Sequence, residues 1–296
     1  MKAPAFDYLA PANLAEALAA LAEHGEDAKL IAGGQSLVPA LNLRLLAPAI
    51  LIDLNRVPEL KGVSVENGRL RLGAMTRHVE LERSALIREH APLLAEAIRH
   101  VAHPAIRTRG TIGGNIAHAD PASELPACAV ALGAEMVIAG QGGERRVPAD
   151  EFFEGVYATA LGPDEILVAI EFPAAPAGRR HAFIELARRL GDYALVGIAC
   201  TATLSDGALG SFKPVFFAAG PRPVLAGNAA ALLEGKPLTA ALLDEAVEAL
   251  GQDLDPDGDL QISAAMRLHL ARTVFRRAVA ALAPESGLGP IQEIAA

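Results

Sequence analysis

Two short runs of small, uncharged residues carry the chemistry that can be read from this sequence. The first is Ala32, Gly33, Gly34, Gln35 and Ser36, which follows the apolar run after Lys29 and precedes a stretch of helical spacing over residues 37–46. Paired glycines reach positive φ and let a backbone approach a ligand closely. The N–H groups at the start of a following helix face an anion, and Ser36 is placed both to cap that helix and to donate a hydrogen bond. The second run is Gly110, Thr111, Ile112, Gly113, Gly114 and Asn115, where a glycine pair again stands beside a hydroxyl and an amide, donors without charge. It continues through His118, Asp120, Pro121, Ser123 and Glu124, polar groups that suit the hydroxyls of a sugar or sugar alcohol. Taken singly, the first run reads more readily as a tight turn before a capped helix, and the second equally as an irregular surface loop. Taken together, they offer neutral donors along an extended path, as the two phosphates of a dinucleotide require.

Several other chemistries lack their residues. Neither run is G-x-G-x-x-G, and no Gly-Lys-Ser/Thr follows, so a nicotinamide or ATP site is not supported. The two cysteines, Cys128 and Cys200, sit far apart in apolar runs and read as buried reduced thiols. An iron–sulfur cluster normally takes four thiolates, so this chain holds none alone. A net charge of -9 argues against nucleic acid, the surroundings of Arg107 and Arg109 being the one local basic exception. No nucleophile–base pair stands out; His100 and His103 flank a helix end and suit its C-terminal dipole, and His118 reads as a lone loop histidine. The first residues, MKAPAFDYLAPANL, lack the apolar centre of a signal peptide. No run approaches the ~20 apolar residues of a membrane span, and a cytoplasmic protein is expected.

The elements that must position these runs follow from periodicity. A helix is expected over residues 13–24, with Asn13 and Glu16 as an Asn form of the capping box and Gly25 as its stop. Strands are expected at the run beginning with Lys29, at 49–54, 69–74, 136–139 and 165–172. A long helix should span 79–101, with Pro92 able to split it. Residues 174–178 crowd Pro and Gly and read as a linker. Beyond them, strands at 183–188, 194–204 and 212–219 precede helices at 226–234, 239–250 and 263–282, with Ser205, Asp206 and Gly207 as a hairpin turn. A small antiparallel sheet backed by helices results. The expected class is α+β.

At this point four stretches resemble one known family: AGGQSLVPALNLRL (32–45), RGTIGGNIAHADPASELP (109–126), ARRLGDYALVG (187–197) and SAAMRLHLARTVFRRAV (263–279). They look like the FAD-binding medium subunit of the carbon monoxide dehydrogenase and xanthine dehydrogenase group, the molybdenum hydroxylases. The resemblance implies a two-lobed FAD-binding domain of the vanillyl-alcohol oxidase type over residues 1–175, with lobes of about 1–55 and 56–175. A C-terminal domain like that of the carbon monoxide dehydrogenase flavoprotein would follow over 179–285, and a tail over 286–296. It further implies that Ala32, Gly33, Gly34, Gln35 and Ser36 cradle the FAD diphosphate with Thr111, Gly113, Gly114 and Asn115. By the same resemblance Lys29 approaches the cofactor, Asp120 and Glu124 face ribityl or ribose hydroxyls, Leu167 lines an apolar wall, and Tyr193 stands near the isoalloxazine ring. One departure is Glu185, where related subunits often carry lysine.

The resemblance also implies partners: a large molybdopterin subunit that oxidises substrate and a small subunit with two [2Fe–2S] clusters, assembled as a dimer of heterotrimers. Molybdopterin and the clusters would belong to those partners, and this chain would carry only FAD, passing electrons to an external acceptor. Two alternatives stand beside this reading. One is a stand-alone FAD oxidase, and the other an FAD-binding assembly module without redox turnover.

Overall fold

The computed structural model describes residues 2–176 and 178–288. The chain builds three sheets in succession. Strands β1 (Asp7–Leu9), β2 (Ala28–Ile31) and β3 (Ile50–Asp53) form a parallel sheet in the order β1-β3-β2. Parallel neighbours need crossovers, and α1 (Leu14–His24) and α2 (Leu37–Asn42) lie in them. The start of α1 is fixed locally: Asn13 accepts from the Glu16 N–H at 2.9 Å, and the Glu16 carboxylate accepts from the Ala12 N–H at 2.8 Å. Gly25, at φ +49°, ends it. Ala17, Ala20 and Leu21 then pack on Ile50 and Ile52.

The second sheet is antiparallel. Strands β4 (Val63–Glu66), β5 (Arg69–Gly73), β6 (Glu135–Gly140) and β7 (Gly143–Pro148) flank a central β10 (Ile166–Phe172) in the order β4-β5-β10-β6-β7. Every residue of β10 is buried. Between β7 and β10 a small hairpin, β8 (Phe153–Gly155) and β9 (Ala158–Thr159), stands apart. Between β5 and β6 the chain makes α3 (His78–Arg83), α4 (Ala85–His90), α5 (Pro92–Ala97), α6 (Pro104–Arg107), α7 (Ile112–His118) and α8 (Glu124–Leu132). The single long helix expected over 79–101 is therefore three. Pro92 opens α5, as anticipated, but a second break falls at Ser84, which turns to ψ 126° and caps α4 by accepting from the Ile87 N–H. The run read as a glycine loop is also helical at Ile112–His118, because Thr111 caps it, accepting from the Gly114 N–H at 3.1 Å.

The last sheet is a meander of β11 (Arg180–Ala187), β12 (Ala194–Ser205), β13 (Ala208–Phe217) and β14 (Val224–Leu225). Asp206 (φ +51°) and Gly207 (φ +75°) make the two-residue turn between β12 and β13, the double left-handed geometry that matches strand twist. After α9 (Ala149–Phe152) in the preceding unit, α10 (Gly227–Leu233), α11 (Ala240–Asp253) and α12 (Ala264–Leu282) complete the chain, and they cover one face of this sheet. Alternation along β13 decides the layering. Phe216 stacks on Phe275 of α12, while Phe217 stacks on Phe183 and joins the core of α5 and α8. The Ala218 N–H donates to the Pro121 carbonyl at 2.8 Å, and the Thr201 hydroxyl to the Ala131 carbonyl at 3.1 Å. Cys128 and Cys200 are buried free thiols in this packing. The whole is α+β. Among the described residues no helix is long and apolar enough to cross a membrane, and residues 289–296 of the expected tail lie outside them.

Candidate cofactor site

The two glycine runs meet. A Cβ on Gly33 would lie 2.3 Å from the Arg109 carbonyl oxygen and 2.8 Å from the Gly110 Cα, so only hydrogen fits there. A Cβ on Gly114 would lie 3.3 Å from the Ala32 Cβ, and one on Gly113 would lie 2.4 Å from the Ala74 Cβ. The second glycine pair thus seats α7 on the strand-end segment after β5 and brings its first turn under the first run. A polar clamp holds the junction. Asn55 Nδ2 donates to the Ala32 carbonyl at 2.9 Å, and the Arg77 guanidinium donates to Asn55 Oδ1 and to the Arg109 carbonyl. Asp53 accepts from the Asn55 N–H at 2.8 Å and from the Tyr8 hydroxyl; that bond and the Asp53 charge hold the Tyr8 phenol above its ordinary pKa. Asn55 and Arg77 escaped the sequence reading. Their only signal is a polar residue just past a strand.

The runs differ in what they offer an anion. Among the described residues, none of the N–H groups of Gly33, Gly34, Gln35, Ser36 and Leu37 donates to another group of the chain; the first that does is Val38, to the Gly34 carbonyl at 3.0 Å. Gly34 makes the turn at φ +73°. In the second run the amides from Ile112 to Asn115 are already committed. Ile112 donates to the Thr76 carbonyl, Gly113 to that of Ala74, Gly114 to the Thr111 hydroxyl and Asn115 to the Thr111 carbonyl. The first run thus presents free amides, and the second presents mainly a close-packed floor. Asn115 retains its Nδ2 donor, its Oδ1 accepting from Ser123 at 2.9 Å. Ser36 does not cap α2, since its own backbone is already helical (φ −101°, ψ −42°) where a cap needs extended geometry. Ser36 itself is exposed. Lys29 lies exposed on β2, in register with Leu51 and on the strand face of Ile31.

Beyond α7 the polar groups gather again. Asp120 accepts from the Ala122 N–H at 2.9 Å and lies 3.5 Å from the Tyr157 hydroxyl. Glu124 opens α8 and is buried; desolvation, with the nearby Glu185 and Asp120 charges, pushes its carboxyl up to about 8. Glu185 on β11 is raised to about 7 by burial, its carboxylate 3.4 Å from His100 Nδ1. His100 therefore faces a carboxyl as well as a helix end, and its ring lies tilted against Phe183. His103 caps α6 rather than ending a helix, and its ring abuts Gly191. Tyr193 is 68% exposed, in the segment between β11 and β12. Leu167 is buried in β10, within the core that contains Ile112 and Ile116 of α7. His118 is not a solitary loop residue but stacks on Tyr157, with ring centroids 4.8 Å apart.

Among the described residues, five amides of the first run lack a partner and lie against the glycine pair of the second, and the buried Glu124 and the exposed Tyr157 and Tyr193 follow further along the chain. Residues 4–175 match the family described as the FAD binding domain in molybdopterin dehydrogenase, and residues 181–282 match the CO dehydrogenase flavoprotein C-terminal domain. The chain is 39% identical over 281 residues to the 6-hydroxypseudooxynicotine dehydrogenase complex subunit alpha of Paenarthrobacter nicotinovorans, covering 95% of each. It is 41% identical over 281 residues to the caffeine dehydrogenase subunit beta of Pseudomonas sp. strain CBB1, again covering 95% of each. Its structure superposes on a chain of carbon monoxide dehydrogenase from Hydrogenophaga pseudoflava with a TM-score of 0.93 at 40% identity, covering 97% of this chain and 99% of that one. The chain belongs to the FAD-binding medium subunits of the molybdenum hydroxylases, and it is an oxidoreductase subunit.

Proposed function

We propose that this subunit takes electrons from the [2Fe–2S] clusters of a small partner subunit and passes them to an external acceptor, while a large molybdopterin subunit oxidises substrate. A cytoplasmic dimer of heterotrimers fits the reading. The observation that carries it is the row of unpartnered amides from Gly33 to Leu37 above the Gly113–Gly114 floor. When bound, FAD would supply the redox chemistry. The chain's own residues position it. Ala32, Gly33, Gly34, Gln35 and Ser36 hold the diphosphate through neutral donors, with Thr111, Gly113, Gly114 and Asn115 beneath. Lys29 adds a cation at the edge. Asp120 and Glu124 meet hydroxyls, Glu124 as a donor while it keeps its proton. Leu167 backs the apolar side, and Tyr193 borders the ring. Neutral donors bind a diphosphate with little dependence on salt, which suits a resident cofactor.

Relatives named for caffeine, 6-hydroxypseudooxynicotine and carbon monoxide match this chain about equally well, at 41%, 39% and 38% identity. That spread supports a reading in which substrate choice lies with the large subunit. The test is purification of the chain alone and of its native complex. The isolated chain should be yellow and inactive toward substrate, and the complex should contain molybdenum and iron. A colourless chain that takes up no added FAD would refute the reading; substrate turnover by the yellow chain alone would favour a stand-alone oxidase.

A further inference from the structure

Tyr157 stands at the turn of the β8–β9 hairpin with a backbone φ of +55°. Left-handed backbone strains any residue with a Cβ, and such strain persists where the surroundings or a function hold it. Gly155, two residues earlier, does not take the left-handed position. The surroundings of Tyr157 are specific. Its N–H donates to the Ala119 carbonyl at 3.3 Å, and Ala119 is itself left-handed (φ +50°) as the residue that closes α7. Its ring lies at 27° to His118, the last residue of α7, and its hydroxyl is 3.5 Å from Asp120. The helix that begins with the Gly113–Gly114 floor thus ends by fixing the plane of a tyrosine. Yet the tyrosine is 59% exposed, so its ring adds little burial to the fold. Tyr193, exposed between β11 and β12, has its phenol raised by desolvation and then by Asp120 and Tyr157.

We propose that Tyr157 is a ring-binding residue, which with Tyr193 forms the aromatic wall that receives the isoalloxazine end of FAD. The inference rests on the FAD reading above and adds to it a residue on a separate hairpin. A planar ligand gains by stacking on a ring whose orientation is already set. The left-handed turn presents the side chain outward, and the His118 stack holds it there.

The experiment uses the full chain stripped of flavin and reconstituted with FAD. Affinity, the visible absorption and circular dichroism of the bound flavin, and the melting temperature of the flavin-free chain are measured for wild type, Tyr157→Phe and Tyr157→Gly. Tyr157→Gly removes the ring and relieves the backbone, so the flavin-free chain should melt no lower than wild type, while FAD binding weakens by about tenfold and the flavin bands shift. Tyr157→Phe keeps the ring and should bind within about twofold of wild type. If the glycine variant does not fold, Tyr157→Asn is used, since asparagine tolerates left-handed backbone and lacks the ring. Unchanged affinity and unchanged bands in the ringless variant overturn the inference and leave the FAD reading standing. Failure of the wild-type chain to take up FAD overturns both.

Discussion

Gly33 shows how much a single hydrogen atom decides here. Its missing Cβ is the reason the chain can cross the Arg109–Gly110 backbone, because a methyl group would sit 2.3 Å from a carbonyl oxygen. Neither neighbour is a flexible side-chain end, so the backbone itself must move. Forcing extra volume into a packed site costs about 1–3 kcal/mol, and the movement would separate the free amides from the floor beneath them. Gly33→Ala should therefore lower the melting temperature of the chain and weaken FAD binding at least tenfold. Gly142, in the β6–β7 turn, has ordinary φ and nothing within 4 Å of where a methyl group would stand, so Gly142→Ala should change neither quantity. Equal behaviour of the two variants in a thermal melt and an FAD titration would show that the close approach does not matter.

At the scale of elements, the N-terminus of α8 meets β11 through two carboxyls. The dipole of a helix N-terminus favours an anion by about 0.3–2 kcal/mol, while desolvating a buried carboxylate costs several kcal/mol. Burial wins, and Glu124 is raised to about 8 and Glu185 to about 7, against an ordinary value of 4.5. An acid with a raised folded pKa binds more protons when folded. Its stabilising contribution is whole below the unfolded pKa and is lost as pH climbs through the folded one, here between about 4.5 and 8. His78, lowered to about 4 by burial and by Arg107 and Arg77, acts oppositely, adding stability as pH rises from there to 6.5. The interval from pH 6.5 to 8 therefore belongs to the carboxyls. Urea unfolding should show the wild type losing about 1–2 kcal/mol or more across it, and Glu185→Gln losing less and exceeding wild type at pH 8. Parallel pH dependences would remove Glu185 from this account. The same scale explains what was legible in the sequence. The capped start of α1 at Asn13 and Glu16 and the Asp206–Gly207 turn are settled by neighbours in the chain, and both were readable. The helical fold of Ile112–His118 depends on Ala74, and the clamp on Asn55, Arg77 and Arg109, partners distant in sequence that no local pattern names. The family motifs marked the candidate residues, but not that the amides from Ile112 to Asn115 are already committed.

The molecule as a whole is less divisible than its three sheets suggest. Helix α8 has eight of its nine residues buried. A helix buried on all sides needs cover on more than one, and α8 has the antiparallel sheet around β10 on one side and β12 and β13 on another. Phe183, Ala199, Val215 and Phe217 of the C-terminal sheet share one core with Leu93, Leu94, Cys128 and Leu132 of α5 and α8. Each large apolar side chain so buried is worth about 1.5–3 kcal/mol, and a typical domain is stable by only about 5–15 kcal/mol. Losing the C-terminal cover would therefore consume much of the stability of the FAD-binding part. It would also remove Tyr193 and leave Glu124 facing water. The full chain should unfold in one calorimetric transition whose enthalpy equals the van't Hoff value. A fragment ending at residue 175 should lack a cooperative transition and bind FAD far more weakly than the full chain. A fragment that melts cooperatively and holds FAD as tightly as the whole would mean that the shared core contributes little, and that the C-terminal sheet serves the assembly rather than the site.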